Sequence, residues 1–532
     1  MLDPERRDSI ARLRSALEAH GYVRPEAAEA LGVPLGSEPR RVDLPLYVRR
    51  LAAPRPLHAL VKLFALHVPV PEAEARAALA PLSLEEAETL GIATCVAGEV
   101  HPRVGLVVTE GLVVAHDRPG DAAADLPGDH VVGLNPPALL LARLTVRRRV
   151  RAVLDLGCGG GVQTLLAARH ADRVVGVDLN PRAVAFARFN ARLNGVANAE
   201  FRVGDLFGPV REERFDLLVC NPPYVVSPET QLLFRDGGRP GDSLCEEVVR
   251  RASDHLEEGG FATILVNWVA PAGGDRAEPL RRWVAGTGCD AWLAHLDTLD
   301  ALTYAAGWNR ETDPARYGAA LDRWLSYYAA RGIGAIGMGA VVLRRRAGGS
   351  TWVRADELPE RPRGDASAEI LRLFAAEDRL REIGSDEGFL DEVFAVGEDV
   401  RVGQVAAVRD GRFVGSSAQV RREGALPVEG GADAGTLRLL QLCDGRRTLR
   451  EALAGLDGSA SEPRLAASVL ATARRLAALG FLVPASKAGE GRTGDGERDA
   501  VEPSSDAAAT GARRRGGGAG AGDRQPPRVG LG

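Results

Sequence analysis

The stretch Val153-Leu154-Asp155-Leu156-Gly157-Cys158-Gly159-Gly160-Gly161 decides how the chain is to be read. Val153 to Leu156 is a short apolar run of the kind that forms a buried parallel strand. The glycines at 157, 159, 160 and 161 then let the backbone turn sharply and approach a ligand with no Cβ in the way. Such a turn, between a strand and a helix, lies outside the carboxyl end of a parallel sheet, where open α/β folds bind ligands. Asp178 closes the next apolar run, where a carboxylate can accept both hydroxyls of a ribose.

The pattern from 130 to 346 alternates strand and helix. Apolar strands are expected at 153–156, 174–177, 200–203, 215–220, 261–266 and 335–343, with helices at 163–170, 181–194, 243–257 and 279–285. Asn180 caps the helix at 181, Pro181 takes its first turn, and Asn194-Gly195 ends it. Repeated βα units with continuously apolar strands imply a parallel sheet covered on both faces.

The ligand follows from two motifs read together. Counting from Gly157, a G-x-G-x-x-G pattern puts Val162 where its last glycine belongs, and no Walker lysine follows, so neither a dinucleotide nor a nucleoside triphosphate is favoured. Asn221-Pro222-Pro223-Tyr224 follows the strand at 215–220 and therefore sits beside the glycine turn. Pro222 confines Asn221 to extended backbone, and neither proline offers an N–H, which leaves the Pro222 carbonyl free to face a pocket. The Asn221 amide oxygen and that carbonyl can accept both hydrogens of an –NH₂ group, while Tyr224 can stack on the planar group that carries it. These features fit S-adenosylmethionine as the cofactor and nitrogen as the acceptor. Asp155 then faces the cationic amino-acid part of the cofactor directly or through water. Asp178 holds the ribose, and Asn180 with the Gly204-Asp205-Leu206 turn holds the adenine.

In these residues the chain resembles the class I S-adenosylmethionine-dependent methyltransferases of the HemK-like, N5-glutamine type. The resemblance covers roughly 130–345. It is carried by 155–161, Gly176-Val177-Asp178-Leu179-Asn180, Asn190 through Asn194-Gly195, Gly204-Asp205-Leu206-Phe207, Asn221 through Pro228, and Asp236-Gly237-Gly238-Arg239-Pro240-Gly241. It implies a Rossmann-like domain with a mostly parallel seven-stranded sheet, and methylation of glutamine side chains in translation factors. Related enzymes with the same tetrapeptide methylate adenine or guanine amino groups in RNA or DNA. The expected partner is a macromolecule, either a translation-related protein or an RNA. A small protein partner is left open, as is a sensor that binds the cofactor without turnover.

The flanks differ in character. Residues 1–129 read as a helical, winged-helix-like module. A helical stripe at Leu13, Ala16 and Leu17 is closed by Gly21, short helices are expected at 71–79 and 84–90, and strands at 92–97, 104–108 and 112–115. Ser83 and Glu86 form a capping box. Residues 347–485 read as an α+β module, similar in outline to small peptide-binding domains of the PqqD type. Its strand pieces lie at 401–408 and 412–414, and a helix lies near 436–443. Asp444-Gly445 makes a turn, Thr448 caps a helix, and a long helix at 462–479 has Ser461 as N-cap. The tail 486–532 lacks large apolar residues and is expected to be disordered.

At 532 residues the chain needs two to four domains. A net charge of −5 gives no global attraction to nucleic acid or membrane, and Lys62 and Lys487 are the only lysines. The six cysteines form no CxxC pair, so neither a zinc site nor a disulfide framework is expected. The start of the chain carries no basic-then-apolar leader and no apolar run reaches membrane-spanning length, from which a cytoplasmic location is expected. His255 reads as a surface residue. The tryptophans and tyrosines between 268 and 328 read as packing, or as a substrate wall.

Overall fold

The computed structural model of the protein describes residues 2–32, 41–118, 126–310, 314–346, 348–358, 360–409, 412–456 and 463–485. The described residues fall into two compact units, 2–371 with 424–426, and 372–423 with 427–485. Both expected boundaries, at 129 and at 346, therefore fall inside the first unit.

The first unit is built on an eight-stranded sheet. Its strands, labelled in chain order, are β1 (Val150–Leu156), β2 (Ala171–Asp178), β3 (Ala199–Val203), β4 (Phe215–Cys220), β5 (Leu256–Ala270), β6 (Cys289–Asp300), β7 (Ala335–Arg345) and β8 (Val353–Glu357). The spatial order is β3-β2-β1-β4-β5-β7-β6-β8. Strands β3 to β5 pair in parallel, with Leu156 opposite both Val177 and Cys220. β7 runs antiparallel to β5 and β6. The expected seven strands become eight because β8 adds in parallel to the edge of β6. That pairing also carries the unit past residue 346.

Helices α1 (Pro136–Leu144), α2 (Val162–Ala167), α3 (Pro181–Leu193), α4 (Ser243–Ala252), α5 (Glu278–Val284), α6 (Ala301–Asn309) and α7 (Pro314–Arg331) accompany the sheet. Asn180 caps α3 as expected, its side chain accepting from Arg182 N–H. α4 stops at Ala252, five residues early, and a single 3₁₀ turn leads into β5 at Leu256. This buries His255, contrary to its surface reading. It is 5% exposed, stacked on Phe207 at 4.4 Å, with Nδ1 3.1 Å from the Glu213 carbonyl.

The amino-terminal part has the winged-helix order. Helix Pro56–Phe64, strand Val70–Pro71, helices Glu72–Leu79 and Leu84–Leu90, and strands Ala93–Val96 and Glu99–Pro102 follow in turn. The expected Ser83–Glu86 capping box is formed. The strand Glu99–Pro102 was not anticipated, and it, not 104–108, pairs with 93–96. The two-residue turn Ala97-Gly98, with φ of 51° and 85°, makes this possible. Strands Val104–Thr109 and Leu112–Asp117 form a separate hairpin. One apolar core runs from Leu13, Leu17 and Phe64 through Val113 to Phe186, Phe189 and Leu193 of α3.

The second unit contains a hairpin extended to a third strand, Val400–Arg409, Arg412–Arg422 and Val428–Ala432. Asp444-Gly445, expected as a turn, opens the strand Asp444–Thr448 opposite Val393–Val396. That pairing is irregular and Gly445 has a φ of 78°, so turn chemistry and strand pairing coexist there. Thr448 caps Leu449–Ala454 through a capping box. Gly480 ends the helix Pro463–Ala478. Ser461 and the tail 486–532 lie outside the described residues.

Two buried side chains hold the glycine turn after β1. Asp155 is 1% exposed, and its Oδ2 accepts from the Thr164 N–H at 2.8 Å and the Thr164 O–H at 2.6 Å. This fastens the end of β1 to the first turn of α2. Asn190 of α3 is fully buried. It accepts from the Ala115 N–H at 2.8 Å and donates to the carbonyls of Ala115 at 3.0 Å and Gly160 at 2.8 Å.

Two outcomes follow. Asn190→Ala leaves three buried backbone groups unpaired, at ~1–3 kcal/mol each before relaxation, so a loss of about 2–4 kcal/mol is expected. All six tryptophans lie between 268 and 352, in the first unit, so their fluorescence during urea unfolding measures it; an unchanged midpoint contradicts the role. Burial pushes the Asp155 carboxyl up to about 7, against the pull of Thr164. The folded state therefore holds the proton more tightly than the unfolded state, and this contribution to stability is lost as pH rises from about 4 through 7. Melting curves of the wild type should fall relative to those of Asp155→Asn across that window. Parallel curves contradict it.

Candidate functional site

The strand order reverses between β1 and β4, and the carboxyl ends of the parallel strands β1, β2, β3 and β4 lie along one edge of the sheet, the edge at which open α/β sheets bind ligands. The turn after β1 is pinned to β2, with the N–H groups of Gly157 and Cys158 both donating to the Val177 carbonyl at 2.8 and 2.9 Å. Gly157, Gly159 and Gly161 have φ of 73°, 53° and 87°. A side chain is strained at all three, and at Gly161 a Cβ also meets that of Ala187 at 3.2 Å. A Cβ at Gly159 meets nothing within 4 Å, so the turn faces open space there.

Asp178 at the end of β2 binds both neighbouring loops. Its Oδ2 accepts the Gly159 N–H at 2.7 Å and its Oδ1 the Asn180 N–H at 2.8 Å. Burial pushes its pKa above the ordinary carboxylate value while these two donors pull it back. Each oxygen keeps a lone pair for a further donor. Asn180 uses its side chain within the fold, accepting from Arg182 N–H and donating to the Asp129 carbonyl at 2.8 Å. Asp155 lies beneath the turn, bonded to Thr164. Asp205 is exposed on the turn after β3, with an Arg239 guanidinium nitrogen 4.0 Å away.

Sequence reading missed Leu179 and Val203. Leu179 directly follows β2 and Val203 is the last residue of β3, and they are 54% and 49% exposed. A large apolar residue at or just beyond a strand end was the available signal. Val203 lies opposite Asp178 in the β2–β3 register and Leu179 follows Asp178 directly, so both stand beside that carboxylate.

Asn221-Pro222-Pro223-Tyr224 leaves the end of β4 next to the glycine turn, since a Cβ at Gly157 would stand 3.8 Å from the Asn221 carbonyl. Asn221 Oδ1 is buried and has no hydrogen-bond partner among the described residues. A buried amide oxygen left unpaired costs about 1–3 kcal/mol, so this one marks a place where a donor belongs. Pro222 is buried and Pro223 half-buried. Gly237, at φ 60°, packs so closely on the Pro223 carbonyl that a Cβ would come within 2.7 Å of it. The Tyr224 ring is half-buried against two apolar clusters, and burial raises its phenol pKa. Asp236 closes the loop beyond, accepting from Leu232 N–H at 2.9 Å and Arg235 Nε–H at 2.6 Å.

The donor set fits S-adenosylmethionine. An unpaired acceptor at Asn221, an open glycine turn and a carboxylate with free lone pairs stand at adjoining strand ends. Cys158 and Cys220, within the motifs, are buried free thiols. Among the described residues no group of three or more His, Cys, Asp or Glu is gathered to hold a metal. No described helix is long and apolar enough to cross a membrane.

Comparison with known proteins agrees with this geometry. The family described as methyltransferase small domain matches residues 135–273, and a domain of unknown function, DUF7059, matches 19–103. A putative protein N5-glutamine methyltransferase of Methanocaldococcus jannaschii is 34% identical over 135 residues, covering 24% of this chain and 68% of that protein. A release factor glutamine methyltransferase of Geobacter sulfurreducens is 34% identical over 158 residues, covering 27% of this chain and 53% of that one. The ribosomal RNA small subunit methyltransferase C of Escherichia coli is 33% identical over 135 residues, covering 25% of this chain and 36% of that one. The chain thus spans about half or less of the latter two. A glycine turn braced by Asp178, an unpaired Asn221 on a proline-stiffened strand end, and these likenesses converge: the chain belongs to the HemK-like class I methyltransferases, whose methyl donor is S-adenosylmethionine.

Proposed function

We propose that the protein methylates the side-chain nitrogen of a glutamine in a translation-related protein. The observation that carries this reading is the buried, unpaired Oδ1 of Asn221 at the end of β4. It is an acceptor, so the group it meets must donate, and an amide –NH₂ does so. The names of the relatives from Methanocaldococcus and Geobacter support glutamine in particular.

S-adenosylmethionine supplies an electrophilic methyl group on a sulfonium. Asp178 accepts hydrogen bonds from the ribose hydroxyls, and the apolar pair Leu179 and Val203 with Asp205 receives the adenine. Asp155 and Asn180 act from beneath, the one holding the glycine turn and the other the start of α3. Gly157, Gly159 and Gly161 leave room for the methionine part. Asn221 and the Pro222 carbonyl would hold the acceptor nitrogen by its hydrogens, and Tyr224 would lie beside its plane. On accepting the methyl group that the bound S-adenosylmethionine would supply, the nitrogen would give up one proton to solvent and S-adenosylhomocysteine would be the leaving product. Positioning and electrostatics supply most of the effect.

A second reading is supported by the likeness to the ribosomal RNA enzyme of Escherichia coli. An exocyclic amine of adenine or guanine donates to Asn221 in the same way.

Asp178→Ala is expected to weaken S-adenosylmethionine binding by about 10- to 1000-fold in calorimetry, while Asn221→Ala retains affinity and loses about 100-fold or more in turnover. Intact affinity in the first variant, or intact turnover in the second, removes that residue from the mechanism. Labelled S-adenosylmethionine and the protein are then given a lysate from a strain lacking it. Label that survives nuclease and is lost to protease supports glutamine. Label lost to nuclease moves the assignment to a base, and label in neither supports a sensor.

A further inference from the structure

Helices α6 and α7 fill the connection between β6 and β7, outside the segment matched by the methyltransferase family. The connection is closed at its base by the Ala301 N–H, which donates to the Gly334 carbonyl at 3.0 Å. The two helices are fastened to the backbone that continues from the tetrapeptide. Val226, two residues beyond Tyr224, donates its N–H to the Tyr304 hydroxyl at 3.3 Å, and its carbonyl accepts the Tyr328 O–H at 2.7 Å. Asn267 of β5 donates to the same Tyr304 oxygen at 2.7 Å. Both phenols are 1% exposed and Asn267 is 3% exposed. Further along, the Gly241 N–H donates to Tyr327 at 2.9 Å, and Arg323 pairs with Glu229 at 2.7 Å. The insertion therefore grips the loop at Val226, Glu229 and Gly241. Tyr224 itself packs in the cluster of Tyr304, Trp324 and Tyr328.

We propose that the α6–α7 insertion is a positioning element for methyl transfer, in which Tyr304 and Tyr328 clamp the backbone N–H and carbonyl of Val226 and so fix where Asn221 presents its oxygen. This rests on the reading of Asn221 given above. A chain leaving a strand end is held at one side only. A second anchor five residues on restricts the Asn-Pro-Pro-Tyr turn from both sides. The anchor is polar and directional, so it sets position as well as burial. Misplacing a reacting group by about 1 Å can cost on the order of 100-fold in rate, whereas cofactor affinity is set at the ends of β1, β2 and β3 and is untouched.

The test uses the full chain with Tyr304→Phe and Tyr328→Phe made separately. Each removes one hydroxyl and keeps the ring. Three quantities are measured: the S-adenosylmethionine dissociation constant by calorimetry, the rate of label transfer from saturating S-adenosylmethionine into lysate from a strain lacking the protein, and amide exchange of peptides covering 222–230. The expected result is a rate lower by about 10-fold or more, affinity within 2-fold of the wild type, and faster exchange confined to that stretch. Should one variant fold poorly, the other carries the test. Unchanged rate and exchange in a folded variant overturn the proposal, and so does a loss of affinity as large as the loss of rate. Asn221→Ala is run beside them. If it keeps full turnover, the reading of the site fails. If it loses turnover while both phenylalanine variants keep theirs, only the clamp fails.

Discussion

A turn made of glycine has no side chains with which to hold itself in place. The loop after β1 can come close to a ligand for that reason, and for the same reason apolar packing cannot fix it. Its shape is imposed from outside by hydrogen bonds. Asp178 takes the Gly159 N–H, the Val177 carbonyl takes those of Gly157 and Cys158, and Asn190 holds the Gly160 carbonyl. Asp155 secures the helix that follows. Each of these partners is polar and buried or half-buried, and they arrive on three elements, β1, β2 and α3. The rest of the first unit can be seen as the scaffold that brings them to one strand end.

Much of this was legible in the residues. The strand at 215–220 lies where expected, α3 starts at its Asn-Pro signal, the capping box at Ser83 is formed, and Thr448 caps its helix. β6 was missed because its sequence mixes Asp290, His295, Asp297 and Asp300 with apolar residues. Asp290 is nonetheless fully buried, because Arg344 and Arg346 at and just beyond the end of β7 reach its carboxylate at 2.5 Å. A charge satisfied from a neighbouring strand leaves no trace in the local pattern. His255 was misplaced for a related reason, since the end of α4 depends on the bulged entry into β5 and not on the helix itself.

The candidate site residues named from sequence lie at the ends of β1 to β4 in the fold, but their inner bonding is not written in the local pattern. Asp155 and Asn180 look outward on paper and are occupied by Thr164, Arg182 and Asp129 in the fold. Tyr304, Tyr328 and Asn267 carry no motif at all. They matter only because the β6–β7 connection folds back over residues roughly 80 to 100 positions earlier, as the bonds of Val226 to Tyr304 and Tyr328 record.

The core that joins the amino-terminal helices to α3 has a consequence for how such a protein can change over time. Phe186, Phe189 and Leu193 belong to the methyltransferase domain by sequence and to the winged-helix module by burial. A catalytic cassette trimmed to the segment shared with its relatives would carry those residues as an open apolar stripe. It would also leave Asn190 without the hairpin that it bonds. The two parts are thus not beads on a string. A change of side-chain volume on that face of α3 opens or crowds the core of the preceding helices as well, so the two parts pack as one piece.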